Sequence, residues 1–236
     1  MQDHGHSKTE IAERISGKGQ NSHLRDMIYG GIDGAVTTFA IVAGVQGAGL
    51  SPTIIIALGI ANVLADGFSM AAGNYSGTKA DLDDRSRLSA IEHRHIKDHP
   101  KGEREELRQI LALKGLSGPL LENATDAIAA NDENWVKMML TDEYGLPPTP
   151  PAPMAAAIAT FLAFLVAGIV PLLPFLLGLP DPFLIATCAT ALVFFAIGTG
   201  KSRWSLAPWW RSGLETLAIG STAAAIAYVV GTMFHI

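Results

Sequence analysis

Five long apolar stretches constrain this chain more than any other feature. They lie near residues 27–49, 54–76, 153–178, 182–200 and 212–234. Crossing the ~30 Å hydrocarbon core of a bilayer takes roughly 20 apolar residues in a helix, and each stretch is of that order. Only 17% of residues are charged, against about a quarter in ordinary soluble domains, and the deficit sits in these stretches. Unpaired backbone groups are too costly in lipid for anything but helices or closed barrels. The expected fold class is therefore all-α: a polytopic membrane protein with five transmembrane helices and a cytosolic helical insert between the second and third. We divide the chain into a tail (1–25), spans one and two (26–79), the insert (80–150) and spans three to five (151–236). A disulfide framework is excluded by the single Cys188, read here as a small core hydrophobe. Net charge −5 and a pI of about 5.8 argue against a nucleic-acid partner.

All 17 Lys and Arg fall on one side of this arrangement. They lie in the tail, between spans two and three, and between spans four and five. The opposite loops, near Gly49 to Pro52 and Gly178 to Asp181, and the C-terminal Met233 to Ile236 carry none. Cytoplasmic loops carry the positive excess, so the N-terminus and insert are expected inside and the C-terminus outside. The first 25 residues lack the early apolar core of a secretory signal; His4 and His6 fall in what reads as a loose tail. No internal repeat is evident, so a pathway between symmetry-related copies is the expected substitute for a duplicated transporter. Gly30 and Gly34, and Gly73 and Gly77, have small-xxx-small spacing, suited either to a dimer seam or to packing within one subunit.

Several polar residues stand where they are expensive. Asp33, in GGIDGAVTTF, is surrounded by apolar and small residues; a carboxylate inside a span costs at least ~2.5 kcal/mol and normally faces a cavity, partner or ion path. Asn62, Asp66 and Met70 in the second span are four apart and share one helical face. Thioether and carboxylate together suit a divalent transition metal. Glu215 is placed to pair with Arg211 one turn away, and Pro171 and Pro174 should kink the third span.

The insert reads as four helices: about 80 to 98, GEREELRQILALKG, PLLENATDAIAAN, and DENWVKMMLTDEYG capped by Asn131 or Asp132. Glu92 and His95 are three apart, as are Glu103 and Glu106, and Met139 and Glu143 are four apart. Helical bundles present carboxylate and imidazole to metal ions with such spacing. A solvated charged face has the same spacing, because Glu103, Glu105 and Glu106 interleave with Arg104 and Arg108.

RDMIYGGIDGAVTTFAIVAGV, then NVLADGFSMAAGNY, then the insert ending WVKMMLTDEYGL and the Pro-bearing third span together resemble the vacuolar iron transporter family from about Leu24 to the C-terminus. The resemblance implies a homodimer of five-span subunits that exports Fe²⁺, and often Mn²⁺, from the cytosol by proton antiport. Asp33 then stands where the family has its transport-site carboxylate, Met70 where it has the methionine partner, and Asp26 at the cytosolic entrance. Glu92, Glu103, Glu106, Met139 and Glu143 match family metal ligands, and His95 falls where many members have Glu. Ser22 and Asn62 stand where some members place glutamates along the entrance path, and Asp66 is the substitute for part of that role.

The expected function is therefore export of Fe²⁺ or Mn²⁺, not enzymatic catalysis. No prosthetic group is expected; the metal is both cargo and insert-bound ion. The expected partners are metal ions, the lipid bilayer and a second copy of the chain. The expected location is the inner membrane in a bacterium or the vacuolar membrane in a eukaryote. The competing readings are a membrane-anchored di-metal, ferroxidase-like oxidase and a membrane metal sensor.

Overall fold

The structure is a computed structural model and describes residues 6–16, 23–202 and 207–234. Among these the regular elements are all helical. In order they are α1 (Lys8–Ser16), α2 (Leu24–Gly47), α3 (Pro52–Asp98), α4 (Pro100–Leu113), α5 (Gly118–Ala129), α6 (Asp132–Asp142), α7 (Pro153–Ile169), a 3₁₀ turn (Val170–Leu172), α8 (Leu173–Leu176), α9 (Pro182–Lys201) and α10 (Trp209–Thr232). Five segments are long and apolar enough to cross a membrane: Leu24–Gly47, Pro52–Asp98, Pro153–Leu176, Pro182–Lys201 and Trp209–Thr232. The protein is thus an integral membrane protein.

The described residues pack as two units, one within 22–77 and 153–236, the other within 1–21 and 78–152. The membrane unit is built on α2, which packs against α7, α9 and α10. Its closest approaches are made by glycine. A methyl group on Gly30 would collide with the Thr160 carbonyl oxygen, one on Gly34 with that of Phe164, and one on Gly231 with that of Gly44. Gly30 and Gly34 therefore serve packing within one subunit, whereas Gly73 and Gly77 face open space. Around Phe39, Val42, Ile55, Leu172 and Phe175 the same unit closes an apolar core. Burying such side chains contributes roughly 1.5–3 kcal/mol each in water; in lipid the close fit itself becomes the main attraction.

Four details differ from the sequence reading. The second span and the first insert helix are one 47-residue helix, because the sequence between Met70 and Asp98 contains no proline and Lys79 pairs with Asp83 one turn on. The tail contains α1, which opens with a reciprocal capping box: Ser7 Oγ accepts from the Glu10 backbone N–H, and Glu10 accepts from the Ser7 backbone N–H at 3.1 Å. Cys188, in α9, is exposed rather than in the core. Glu215 pairs with Lys201 of α9 at 3.7 Å rather than with Arg211. Pro171 and Pro174 do interrupt the third span, where the 3₁₀ turn joins α7 to α8.

The insert unit closes over Ile96, Leu107, Leu111, Leu121, Trp135, Val136, Met139 and Leu140. Asn131 caps α6 by accepting from the Asn134 N–H at 2.9 Å, and Gly145 follows with a φ of 67°, the left-handed conformation that ends helices.

Candidate metal centres

Within the membrane unit, α2 and α3 run antiparallel and meet through polar residues at successive turns. Asn62 Nδ2 donates to Thr37 Oγ1 at 3.3 Å, and Thr37 in turn donates to the Asp33 carbonyl at 2.9 Å. One turn further, Asp66 stands within electrostatic reach of Asp33. Two turns beyond that, Asn74 Nδ2 donates to Asp26 Oδ1 at 2.9 Å and lies 2.7 Å from Thr160 Oγ1. His23 Nδ1 lies 3.1 Å from the other Asp26 oxygen. The register advances by four residues on each helix, as 3.6 residues per turn requires, and it puts half-buried Met70 in the interval between the Asp66–Asp33 and Asn74–Asp26 levels. The result is a polar ladder between two otherwise apolar helices. Two like charges facing each other in lipid are each costly, and a cation or proton between them relieves both.

The insert gathers a second set. Glu92, on α3, is 1% exposed and Glu103, on α4, is 6% exposed. Glu92 Oε1 accepts from the Tyr144 hydroxyl at 2.8 Å, while Glu92 Oε2 and Glu103 Oε2 are buried with no partner. His95 Nδ1 lies 3.4 Å from Glu103 Oε1 and 4.0 Å from Glu92 Oε1. Glu106 and Glu143 act electrostatically on the same group. The opposite face of α4 carries the arginines: Arg104 pairs with Asp126 at 2.7 Å and Arg108 with Glu122 at 2.7 Å, both on α5. The solvated-face reading therefore holds for Glu105 but not for Glu103, whose side of the helix turns inward.

Burial raises the Glu103 carboxyl to about 7, and repulsion from Glu106, Glu92 and Glu143 adds to it while His95 opposes it. Burial likewise raises Glu143, with Glu92 and Glu106 adding and His95 opposing. The Tyr144 phenol is pushed up by burial and by its bond to Glu92. A buried polar atom without a partner costs about 1–3 kcal/mol, more when charged. Two such oxygens lie in one acidic cluster, where a bound cation or a proton would relieve the cost of both. Carboxylate and imidazole donors suit Fe²⁺ or Mn²⁺. Among the described residues, no three His, Cys, Asp or Glu side chains are already closed around a common point.

Of the residues singled out from sequence, Asp26, Asp33, Asn62, Asp66 and Met70 lie along the ladder, and Glu92, His95, Glu103, Glu106 and Glu143 lie in the insert cluster. Met139 is wholly buried in the insert's apolar core. Ser22 and His4 lie outside the described residues. Sequence reasoning missed His23, Thr37, Asn74 and Tyr144. Asn74 continues the four-residue stripe of Asn62, Asp66 and Met70 by one step, so the pattern already contained it.

The VIT family profile matches residues 24–232. Vacuolar iron transporter 1 of Arabidopsis thaliana is 32% identical over 209 residues, covering 87% of this chain and 83% of that protein. Vacuolar iron transporter 2 of Oryza sativa subsp. japonica is 32% identical over 210 residues, covering 87% and 85%. The vacuolar iron transporter of Plasmodium berghei is 26% identical over 242 residues, covering 98% and 88%. These relatives are named as transporters rather than enzymes, and they match this chain across both the spans and the insert; the chain belongs to the VIT family.

Proposed function

We propose that the protein is a metal transporter that moves Fe²⁺, and also Mn²⁺, out of the cytosol in exchange for protons. The observation that carries this reading is the ladder of Asp33, Asp66, Asn62, Thr37 and Asp26 between α2 and α3. Membrane helices keep such residues at a cost only where something polar passes or binds. The relatives' names supply the metal.

In this reading the insert collects cytosolic metal. Glu92 and Glu103 offer their unpartnered oxygens, His95 adds a nitrogen donor, and Glu106 and Glu143 raise the local cation concentration. The metal then passes to Asp33, with Met70 as a soft donor that disfavours Mg²⁺ and Ca²⁺, which take oxygen ligands. Proton uptake at Asp33 and Asp66 on metal release resets the site. The working unit is a homodimer, supported by the absence of an internal repeat and by the exposed apolar side chains Leu64 and Phe68 on α3. The placement of all 17 Lys and Arg on one side supports a cytosolic tail and insert, in an inner or vacuolar membrane.

The test is uptake of Fe²⁺ and of Mn²⁺ into proteoliposomes, with and without an imposed pH gradient, for wild type and Asp33→Ala. Accumulation that needs Asp33 and responds to the gradient is the expected result. Equal uptake by Asp33→Ala would overturn the mechanism. No uptake of either metal by folded, correctly oriented protein would favour the oxidase or sensor readings.

A further inference from the structure

On the side of α2 away from the ladder, helices α2, α7 and α9 leave an open groove of about 670 Å³. Lys201, at the end of α9, is its one charged lining residue among those described. Leu24, Met27, Ile28 and Gly31 form its α2 wall. Each helical residue turns by about 100°, so Asp33, two residues after Gly31, points to the opposite side of the helix. A second copy seated over the Asp33 side leaves this groove facing lipid.

The groove's dimensions and chemistry are those of one leaflet. Along α7 and the first residue of the 3₁₀ turn the lining runs from Ala159 to Val170, a rise of about 16 Å, against about 15 Å for half the hydrocarbon core. Its walls are aliphatic throughout, and its charge is confined to one end. At that end Trp209 and Trp210 are exposed and Trp209 packs edge-on against Phe195 of α9, centroids 6.1 Å apart. Such tryptophans sit at headgroup level. Among the described residues Lys201 pairs with Glu215 at 3.7 Å, and both side chains are substantially exposed, so exchanging that carboxylate for a phosphate costs little.

We propose that this groove binds an anionic phospholipid of the leaflet at whose surface Lys201 lies. One acyl chain occupies the aliphatic channel between α2, α7 and α9, and the phosphate rests on Lys201. The site is separate from the metal path, and it does not depend on which metal, if any, the protein carries.

Native mass spectrometry of the full chain, titrated in parallel with phosphatidylglycerol, phosphatidylcholine, diacylglycerol and glycerol 3-phosphate, tests it. Wild type should retain about fivefold more phosphatidylglycerol than phosphatidylcholine, the ratio corresponding to ~1 kcal/mol for one basic side chain at a membrane surface. Diacylglycerol and glycerol 3-phosphate should each bind less than the intact anionic lipid. Lys201→Glu should bring the ratio to one or below, because it removes a positive charge and adds a negative one, and Glu215→Gln should raise it, since the only change is removal of the competing carboxylate. Ala196→Phe, which fills the groove, should reduce retention of both phospholipids. Helical circular dichroism and an unchanged size-exclusion profile confirm that each variant is folded. A wild-type ratio of one, or a preference unchanged by Lys201→Glu and Glu215→Gln, would overturn the proposal. So would disulfide-linked dimers of Ala196→Cys in a Cys188→Ser background, which would make a second copy the occupant.

Discussion

The membrane ladder and the insert cluster both collect carboxylates, yet they treat them differently. Along the ladder Asp26 is met by amide and imidazole groups, and Asp33 and Asp66 are half-buried and within electrostatic reach of each other. In the insert, Glu92 and Glu103 are almost fully enclosed, with an unpartnered oxygen on each. A site that passes ions must bind weakly enough to release them. A site that captures them gains from enclosed ligands, because an ion displaces a penalty already present in the empty protein. The contrast fits the proposed mechanism, with capture at the insert and passage along the ladder.

The largest effect that separates the two comes from Asp33→Asn, which keeps the side chain's shape and removes its charge. Uptake into proteoliposomes should fall to the level of empty liposomes while Fe²⁺ binding at the insert, followed by titration calorimetry, is unchanged. If both are lost, the two sites are not separable. The double variant Glu92→Gln, Glu103→Gln should do the reverse. Metal affinity of the insert should drop by at least the 10- to 100-fold typical of losing groups around a metal, and the metal-free protein should melt higher because two buried charges are gone.

A pH series sharpens the contrast further. The Glu103 carboxyl rises from 4.5 to about 7 on folding, so the folded protein binds more protons than the unfolded chain between those values. This group's contribution to stability is full below pH 4.5 and is lost as pH rises to about 7. The metal-free protein should therefore melt lower at pH 8 than at pH 5.5 from this group, and Fe²⁺ affinity of the insert should rise over the same range as the carboxyl gives up its proton. Affinity independent of pH would remove Glu103 from the ligand set. The smallest effect is expected for Tyr144→Phe. It leaves Glu92 Oε1 without its donor, so the metal-free protein should lose about 1–3 kcal/mol by denaturant titration, with uptake unchanged at saturating metal.

Much of this organisation was legible in the sequence because its signals are local. Apolar length marked the spans, and the i, i+3 and i, i+4 spacings placed Glu92 with His95 and Asn62 with Asp66. The misses depend on what lies across a helix. Nothing near Glu103 in sequence distinguishes its inward side from the outward side of Glu105, since that is decided by Arg104 turning to Asp126, 22 residues away, and Arg108 turning to Glu122, 14 residues away. Glu215 lies beside Arg211 in sequence but beside Lys201 in space. Tyr144 reaches back 52 positions to Glu92. The boundary near residue 80 was misread for a different reason, because a change from apolar to charged composition does not end a helix when no residue breaks it.

The glycines of α2 carry one more consequence. Gly30 and Gly34 rest on the main chain of α7, and Gly44 is met by Gly231 of α10, so α2 is keyed on two sides by contacts of backbone against backbone. In contrast, Gly59 and Gly67 of α3 meet the side chains of Leu172 and Phe164, which can rotate. Main chain yields far less readily than a rotamer. In mechanical terms α2 is the stator of the membrane unit, and whatever clearance a passing ion demands has to be surrendered by α3.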